Sequence, residues 1–150
     1  MPSVTTYDDI YSKFGKKIQD FELAELLQSE DKDTKAFVAD MLLGFLDSSI
    51  AKFKKCKNDL SDRNDEELTF NIELEDIEKE ILAIMMVSEW LEPQLNSTLV
   101  TAQFFGGSEQ KFFAQSNQLD KIMVLEKNND LKARKLMRDY TYRNAAELLG

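Results

Sequence analysis

The sequence contains no histidine and a single cysteine, Cys56, among its 150 residues. Without histidine the chain has no Ser-His or Cys-His catalytic pair and no imidazole ligand for zinc. One cysteine also rules out a disulfide within the chain. Glycine and proline are scarce, with five and two residues, whereas an all-β sandwich needs frequent turn residues. We therefore expect a mostly helical protein that is not an enzyme, with no catalytic, cofactor-binding or metal-binding residues.

Negative charge dominates, because 28 acidic residues outnumber 19 basic ones and give a net charge of −9. A field of this sign disfavours general binding to nucleic-acid phosphates or to anionic membranes. The longest apolar run, residues 81–87, is far shorter than the roughly 20 residues of a membrane-spanning helix. Residues 1–6 lack the features of a signal peptide. The sequence predicts a soluble protein with no membrane partner.

Two helices are predicted in the first third of the chain. The first begins near Thr5 or Thr6, and it either stops at Gly15 or runs on to residue 18. The second has apolar residues at three- and four-residue intervals over 37–53, after an N-cap at residue 31 or 33. Gly44 interrupts this pattern. It either marks a close crossing with another helix or is merely tolerated.

The middle of the chain is its most acidic part. Residues 57–80 contain ten acidic and three basic residues, a net charge of −7, and the first half reads as a surface loop. Apolar and polar residues then alternate over 68–73, which predicts a short strand or extended segment. Its partner strand, if any, is expected from a neighbouring subunit. A helix follows from residue 77 and is apolar on nearly all sides over 81–91. It is expected at the centre of the fold and should end or kink near Pro93.

A long C-terminal helix completes the predicted fold, a single helical bundle of residues 1–150. It follows the Gly106-Gly107 pair, with Ser108 as its N-cap, and reaches Tyr140 or beyond. Residues 128–130 interrupt its apolar pattern and are a candidate joint. Its later part is basic, and residues 139–150 are a candidate docking tail because the pattern weakens there.

Metal-site patterns are present but incomplete. Residues 62–73 place oxygen-bearing side chains at several positions of a calcium-binding loop, but Glu67 occupies the place that needs glycine. Glu73, Asp76 and Glu80 have the spacing of a shared helix face, yet a di-metal bundle also needs histidine. A solvated acidic surface is the preferred interpretation of both.

Three groups of residues are candidates for contacts with partners. The aromatic and glycine group forms either a corner of the core or an exposed docking loop, and it comprises Phe104, Phe105, Gly106, Gly107, Phe112 and Phe113. The basic group comprises Lys132, Arg134, Lys135 and Arg138. The acidic group, expected to face a partner or a lumen, comprises Asp59, Asp62, Asp65, Glu66 and Glu67.

Three segments resemble small virion proteins of phages that infect Gram-positive bacteria. They are Thr-Tyr-Asp-Asp-Ile-Tyr-Ser-Lys-Phe at residues 6–14, the apolar stretch 81–95, and residues 101–117, which contain the distinctive block Phe-Phe-Gly-Gly-Ser-Glu-Gln-Lys-Phe-Phe. The resemblance spans about residues 7–138 and is to the head-tail connector proteins, also called adaptor or neck proteins, of tailed phages.

The resemblance implies a structural subunit made in the host cytoplasm and located in the neck of the virion. Such adaptors are helical bundles that form a ring, usually a dodecamer, between the portal protein and a tail or stopper protein. The ring lines the conduit through which DNA leaves the capsid. An acidic lumen would let DNA pass without binding it. The alternative function is a soluble phage assembly chaperone or regulator that grips another phage protein through Phe104, Phe105 and the glycine pair.

Overall fold

The computed structural model describes residues 4–18, 30–105 and 109–149, with side chains described within 4–18, 30–93 and 120–145. The predicted mostly helical bundle with a long C-terminal helix is confirmed, and a small two-stranded sheet accompanies it. The elements in chain order are α1 (Tyr7–Lys17), α2 (Lys32–Lys52), β1 (Arg63–Asn64), β2 (Thr69–Phe70), α3 (Asp76–Phe105) and α4 (Glu109–Leu149).

The N-terminal segment is fixed to the sheet before α1 begins. Thr5 donates its backbone N–H to the carbonyl of Ile72 at 3.1 Å and accepts from the N–H of Phe70 at 2.8 Å. Its hydroxyl accepts from the N–H of Leu74 at 2.8 Å. Thr6 is the N-cap of α1, without a capping bond from its side chain, and the helix runs past Gly15 to Lys17. Thr5 is therefore used for attachment rather than for capping.

Helix α2 begins after Asp31, which is one of the two predicted N-cap residues. The Asp31 carboxylate accepts from the N–H of Thr34 at 3.0 Å and from its hydroxyl at 2.9 Å, and these bonds lower the pKa of Asp31. One face of α2 is buried, and the residues on it are Val38, Leu42, Leu46 and Ser49. Phe37 belongs to the predicted apolar stripe but is 64% exposed.

The predicted close crossing at Gly44 is wrong. A Cβ built at this position meets no heavy atom of the described chain within 4 Å. The residue is exposed on α2, and no helix that the structure describes requires its small size. The other interpretation, a tolerated glycine, fits the structure.

Helix α3 is the centre of the core, as its pattern predicts. Every residue from Ile81 to Ile84 is fully buried, and α1, α2 and α4 all pack against this helix. Of the two outcomes expected at Pro93, an end of the helix is wrong, since α3 continues to Phe105; a kink there stays a prediction. Proline disturbs the turn before it, and here Trp90 and Leu91 hold that turn in the core.

The predicted strand is present but shorter than expected, and its partner is internal. Arg63 pairs with Phe70 and Asn64 with Thr69 in antiparallel register, and Thr6 forms a further bridge to Thr69. The neighbouring-subunit strand is therefore not needed. The partner was missed because β1 lies within a polar acidic run that shows no alternation of apolar and polar residues.

Helix α4 runs antiparallel along α3 without a joint at residues 128–130. Asn129 lies inside the helix and is 7% exposed. Its amide nitrogen donates to the carbonyl of Ile84 at 2.9 Å and to the hydroxyl of Ser88 at 2.7 Å. The polar residue that interrupts the apolar pattern is thus a contact between two helices.

Gly44→Ala should stabilise the chain by about 0.5 to 1 kcal/mol, because alanine has the higher helix propensity and nothing in the described chain opposes its methyl group. Urea unfolding followed by circular dichroism measures the change. Leu42→Ala, on the buried face of the same helix, is the contrasting variant and should lose about 2 to 5 kcal/mol. A destabilised Gly44→Ala would contradict an open face at this position.

Candidate functional site

A buried carboxylate ties three parts of the chain together. Glu78 is fully buried, and each of its carboxylate oxygens accepts two hydrogen bonds. Oε1 accepts from the Asn58 amide and from the backbone N–H of Glu75, both at 2.7 Å. Oε2 accepts from the Tyr140 hydroxyl at 2.8 Å and from the Cys56 thiol at 3.0 Å. The loop after α2, the start of α3 and the end of α4 therefore meet at one side chain.

Hydrogen bonding decides the charge state of this group. Burial raises the pKa of Glu78, but the bonds donated by Cys56, the Glu75 backbone, Tyr140 and Asn58 outweigh it, and the pKa is lowered overall. Burial, with the adjacent Glu78 carboxylate, raises the pKa of the Cys56 thiol to about 12. Cys56 is accordingly a protonated hydrogen-bond donor in the structure, and its chemistry is that of an unreactive thiol.

Tyr140 is the part of the network that belongs to α4. The side chain is fully buried and packs edge-on against Phe53, with ring centroids 5.5 Å apart. Its hydroxyl also accepts from the backbone N–H of Lys57 at 2.7 Å. Three residues later, Arg143 forms an ion pair with Glu75 at 2.9 Å. The first part of the predicted docking tail, residues 139–150, is thus packed against its own chain.

An acidic turn connects the two strands. We call residues 65–68 the acidic turn; its sequence is Asp-Glu-Glu-Leu, and all four residues are exposed. The Asn64 side chain accepts from the N–H of Glu66 at 2.9 Å and from that of Glu67 at 3.1 Å, which fixes the backbone. Leu68 has a φ of 58° and is 37% exposed. A positive φ is uncommon for a leucine, and here it occurs at an exposed position.

Contacts from α1 hold the acidic turn in place. The Tyr7 hydroxyl donates to the Asp65 carboxylate at 2.6 Å, and the backbone N–H of Tyr7 donates to the carbonyl of Leu68 at 2.9 Å. Burial, followed by this hydrogen bond to Asp65, raises the pKa of Tyr7. The turn is rigidly attached to the N-terminal end of α1.

The structure separates the five predicted acidic residues into two groups. Asp59 accepts from Ser61, Asp62 from Asn71, and Asp65 from Tyr7, so these three carboxylates shape the loop. Glu66 and Glu67 make no side-chain hydrogen bond or ion pair within the described part of the chain. They are the acidic side chains that remain available to a partner.

A groove of about 420 Å³ lies between α3 and α4, beside the C-terminal end of α1. Its lining is apolar at the base and cationic at the rim. The residues that line it are Lys17, Ile84, Val87, Leu125, Asn128, Asn129, Leu131, Lys132 and Lys135. We call it the lysine groove.

The predicted basic residues also divide into two groups. Lys132 and Lys135 line the lysine groove, whereas Arg134 forms an ion pair with Asp130 one turn earlier at 3.1 Å, and Arg138 is exposed. Lys17, on a different helix, also lines the groove and was not predicted; its ammonium forms an ion pair with Glu80. No signal in the sequence indicated it, because its place beside Lys132 depends on how α1 crosses the bundle.

The predicted aromatic and glycine group is not tested by the structure. The side chains of Phe104, Phe105, Phe112 and Phe113, and the Gly106-Gly107 pair, lie outside the described residues. The choice between a core corner and a docking loop therefore stays a prediction.

No group of three or more potential metal-ligating side chains occurs among the described residues. The calcium-like pattern over 62–73 is used differently, since Asp62 and the Asn64 side chain bind groups of the loop itself. Within the same residues, no helix has the length and apolar character needed to cross a membrane. Comparison of the chain with protein-family models, curated proteins and solved structures found no match.

Tyr140→Phe should destabilise the chain by about 1 to 3 kcal/mol, because it removes a donor to the buried Glu78 carboxylate and leaves the N–H of Lys57 without its acceptor. Tyr142→Phe is the matched control. Tyr142 is 70% exposed, so its change should stay within about 0.5 kcal/mol. Urea unfolding of both variants provides the comparison, and equal effects would refute the role of the network.

Acid should weaken the Glu78 network, because a carboxylate with a lowered pKa stabilises the fold above the ordinary glutamate pKa of about 4.5 and loses that contribution as pH falls further. Glu78→Gln should therefore unfold more easily than wild type at pH 7, by about 1 to 3 kcal/mol. The gap between the two proteins should narrow toward pH 3.

Unfolding free energies measured across this pH range test the prediction, with Glu92→Gln at an exposed position as the control. A gap between wild type and Glu78→Gln that stays constant from pH 7 to pH 3 would show that the carboxylate does not titrate as described.

Proposed function

We propose that the chain is a structural subunit of a phage neck, which forms a ring between the portal protein and the tail and lines the DNA exit conduit. The resemblance of residues 6–14, 81–95 and 101–117 to head-tail connector proteins suggests this role. The observation that supports it most directly is a pair of unlike surfaces on one rigid chain, the acidic turn and the lysine groove.

Unlike surfaces are what a ring subunit needs. In a ring, each copy presents one face to the copy before it and a different face to the copy after it, so the two faces must be complementary rather than identical. The acidic turn is bound to Tyr7 and the lysine groove is lined by Lys17. These residues are the two ends of α1, about 15 Å apart along a helix of this length.

The charge of the chain suits a conduit. A net charge of −9 per copy, multiplied around a ring, would repel the phosphates of passing DNA and let it slide. The exposed carboxylates of Glu66 and Glu67 contribute to that charge. Binding partners under this proposal are other copies of the chain, the portal protein and a tail or stopper protein, with DNA passing unbound.

Purified particles of the phage that encodes this chain test the proposal. We expect mature virions to contain the chain in the number of copies that one ring in the neck requires. Electron microscopy should place it between the portal protein and the tail. Deletion of its gene should yield DNA-filled heads and complete tails that remain unjoined. Deletion of a gene for a tail fibre is a suitable control, because it should leave heads and tails joined.

A chain that is abundant in infected cells but missing from mature virions would contradict the proposal. That outcome would favour the assembly chaperone, which acts on its partner and then leaves.

A further inference from the structure

The lysine groove has the lining of a binding site for a particular kind of ligand. Ile84, Val87 and Leu125 give it an apolar base, and Leu131 is 57% exposed at its edge. Lys132 and Lys135 form no ion pair with any other described residue. Such a lining selects a ligand with an apolar side chain for the base and carboxylates for the rim.

The acidic turn offers this combination. Leu68 is an exposed apolar side chain, and Glu66 and Glu67 stand immediately before it with no partner among the described residues. Hydrogen bonds to Asn64 and Tyr7 of the same chain also hold the turn in place before any partner binds. A segment that is already ordered loses less conformational entropy when it binds.

The turn and the groove of one molecule are placed apart. The turn is fixed to the N-terminal end of α1 and the groove lies at the C-terminal end, about 15 Å away along the helix. Because Tyr7 and the β-pairing hold the turn rigidly, it does not reach the groove of its own chain. Any contact between the two is a contact between copies.

We infer that the acidic turn of one copy docks in the lysine groove of the next, with Leu68 on the apolar base and Glu66 and Glu67 at Lys132 and Lys135. The contact is heterologous, so repetition generates a ring if it closes and a filament if it does not. This inference rests on the proposed function, since it names the contact that joins successive subunits.

Sedimentation velocity of the full chain over a range of concentrations is the measurement. We expect wild type to self-associate, and Lys132→Glu/Lys135→Glu to weaken association by about tenfold or more, because the rim then repels the turn. Leu68→Asn should weaken association as well. Asparagine tolerates the positive φ at this position, so the variant keeps the turn and loses only the apolar side chain.

Lys54→Glu/Lys55→Glu is the matched control for charge. It makes the same change in net charge at two exposed lysines that do not line the groove, and it should leave association within about twofold of wild type. Phe37→Ser is the matched control for loss of an exposed apolar side chain, and Phe37 is 64% exposed. Circular dichroism confirms that each variant is folded.

Charge exchange tests the pairing itself. Glu66→Lys/Glu67→Lys alone should weaken association as strongly as the groove variant. Its combination with Lys132→Glu/Lys135→Glu in one chain should restore association to within about threefold of wild type, because each lysine-carboxylate pair is re-formed with its ends reversed.

Three results would overturn the inference: wild type that stays monomeric at every concentration, groove variants that associate as wild type does, or exchanged charges that fail to restore association. If the groove variants instead lose binding to purified portal rings while self-association is unchanged, the occupant of the groove is a portal segment and the inference is wrong. The proposed function is judged separately by the presence of the chain in virions, so the two can fail independently.

Discussion

The fold depends on one buried charge that is fully hydrogen-bonded. A carboxylate removed from water costs several kcal/mol unless donors replace its hydration, and Glu78 accepts four hydrogen bonds from the loop after α2, the start of α3 and α4. Its position in the first turn of α3 adds the favourable end of the helix dipole. Because the donors come from the loop after α2 and from Tyr140, the charge is stable only when these segments and α3 are assembled together.

The position of the lysine groove follows from this constraint. One wall of the groove is formed by α4, and α4 is fixed to α3 at two places, by Tyr140 at the Glu78 network and by Asn129 on the Ile84 carbonyl. Both contacts are polar and directional, so they set the register between the helices more narrowly than apolar packing alone. Lys132 and Lys135 lie between these two contacts along α4, so the same contacts fix their positions relative to α3.

The sequence predicts those parts of the fold that local chemistry determines. The N-cap at Asp31, one of the two candidates, could be predicted because a cap is a contact within one helical turn. The central position of α3 could be predicted because a helix that is apolar on all sides is stable only when it is surrounded by other elements. At Pro93 and Gly44 the sequence left two outcomes open, and local chemistry could not choose between them. The helix does not end at Pro93, where Trp90 and Leu91 are buried in the core, and Gly44 is tolerated on an exposed part of α2 rather than placed at a crossing.

The candidate site was predicted only in part, because it is built from residues whose nearness is tertiary. Charge alone identified Lys132, Lys135, Glu66 and Glu67, but it could not separate them from neighbouring charged residues that serve their own loop or helix. Two of the three residues at the apolar base of the groove, Ile84 and Val87, come from α3, and nothing in the spacing of α4 residues indicates them. What distinguishes these four charges is that they have no ion-pair partner among the residues that the structure describes. The lysines stand beside the apolar lining of the groove, and the carboxylates stand beside the exposed Leu68. In the proposed docking the lysines and carboxylates form ion pairs between copies while Leu68 lies on the apolar base, so charge and shape complementarity act at the same contact.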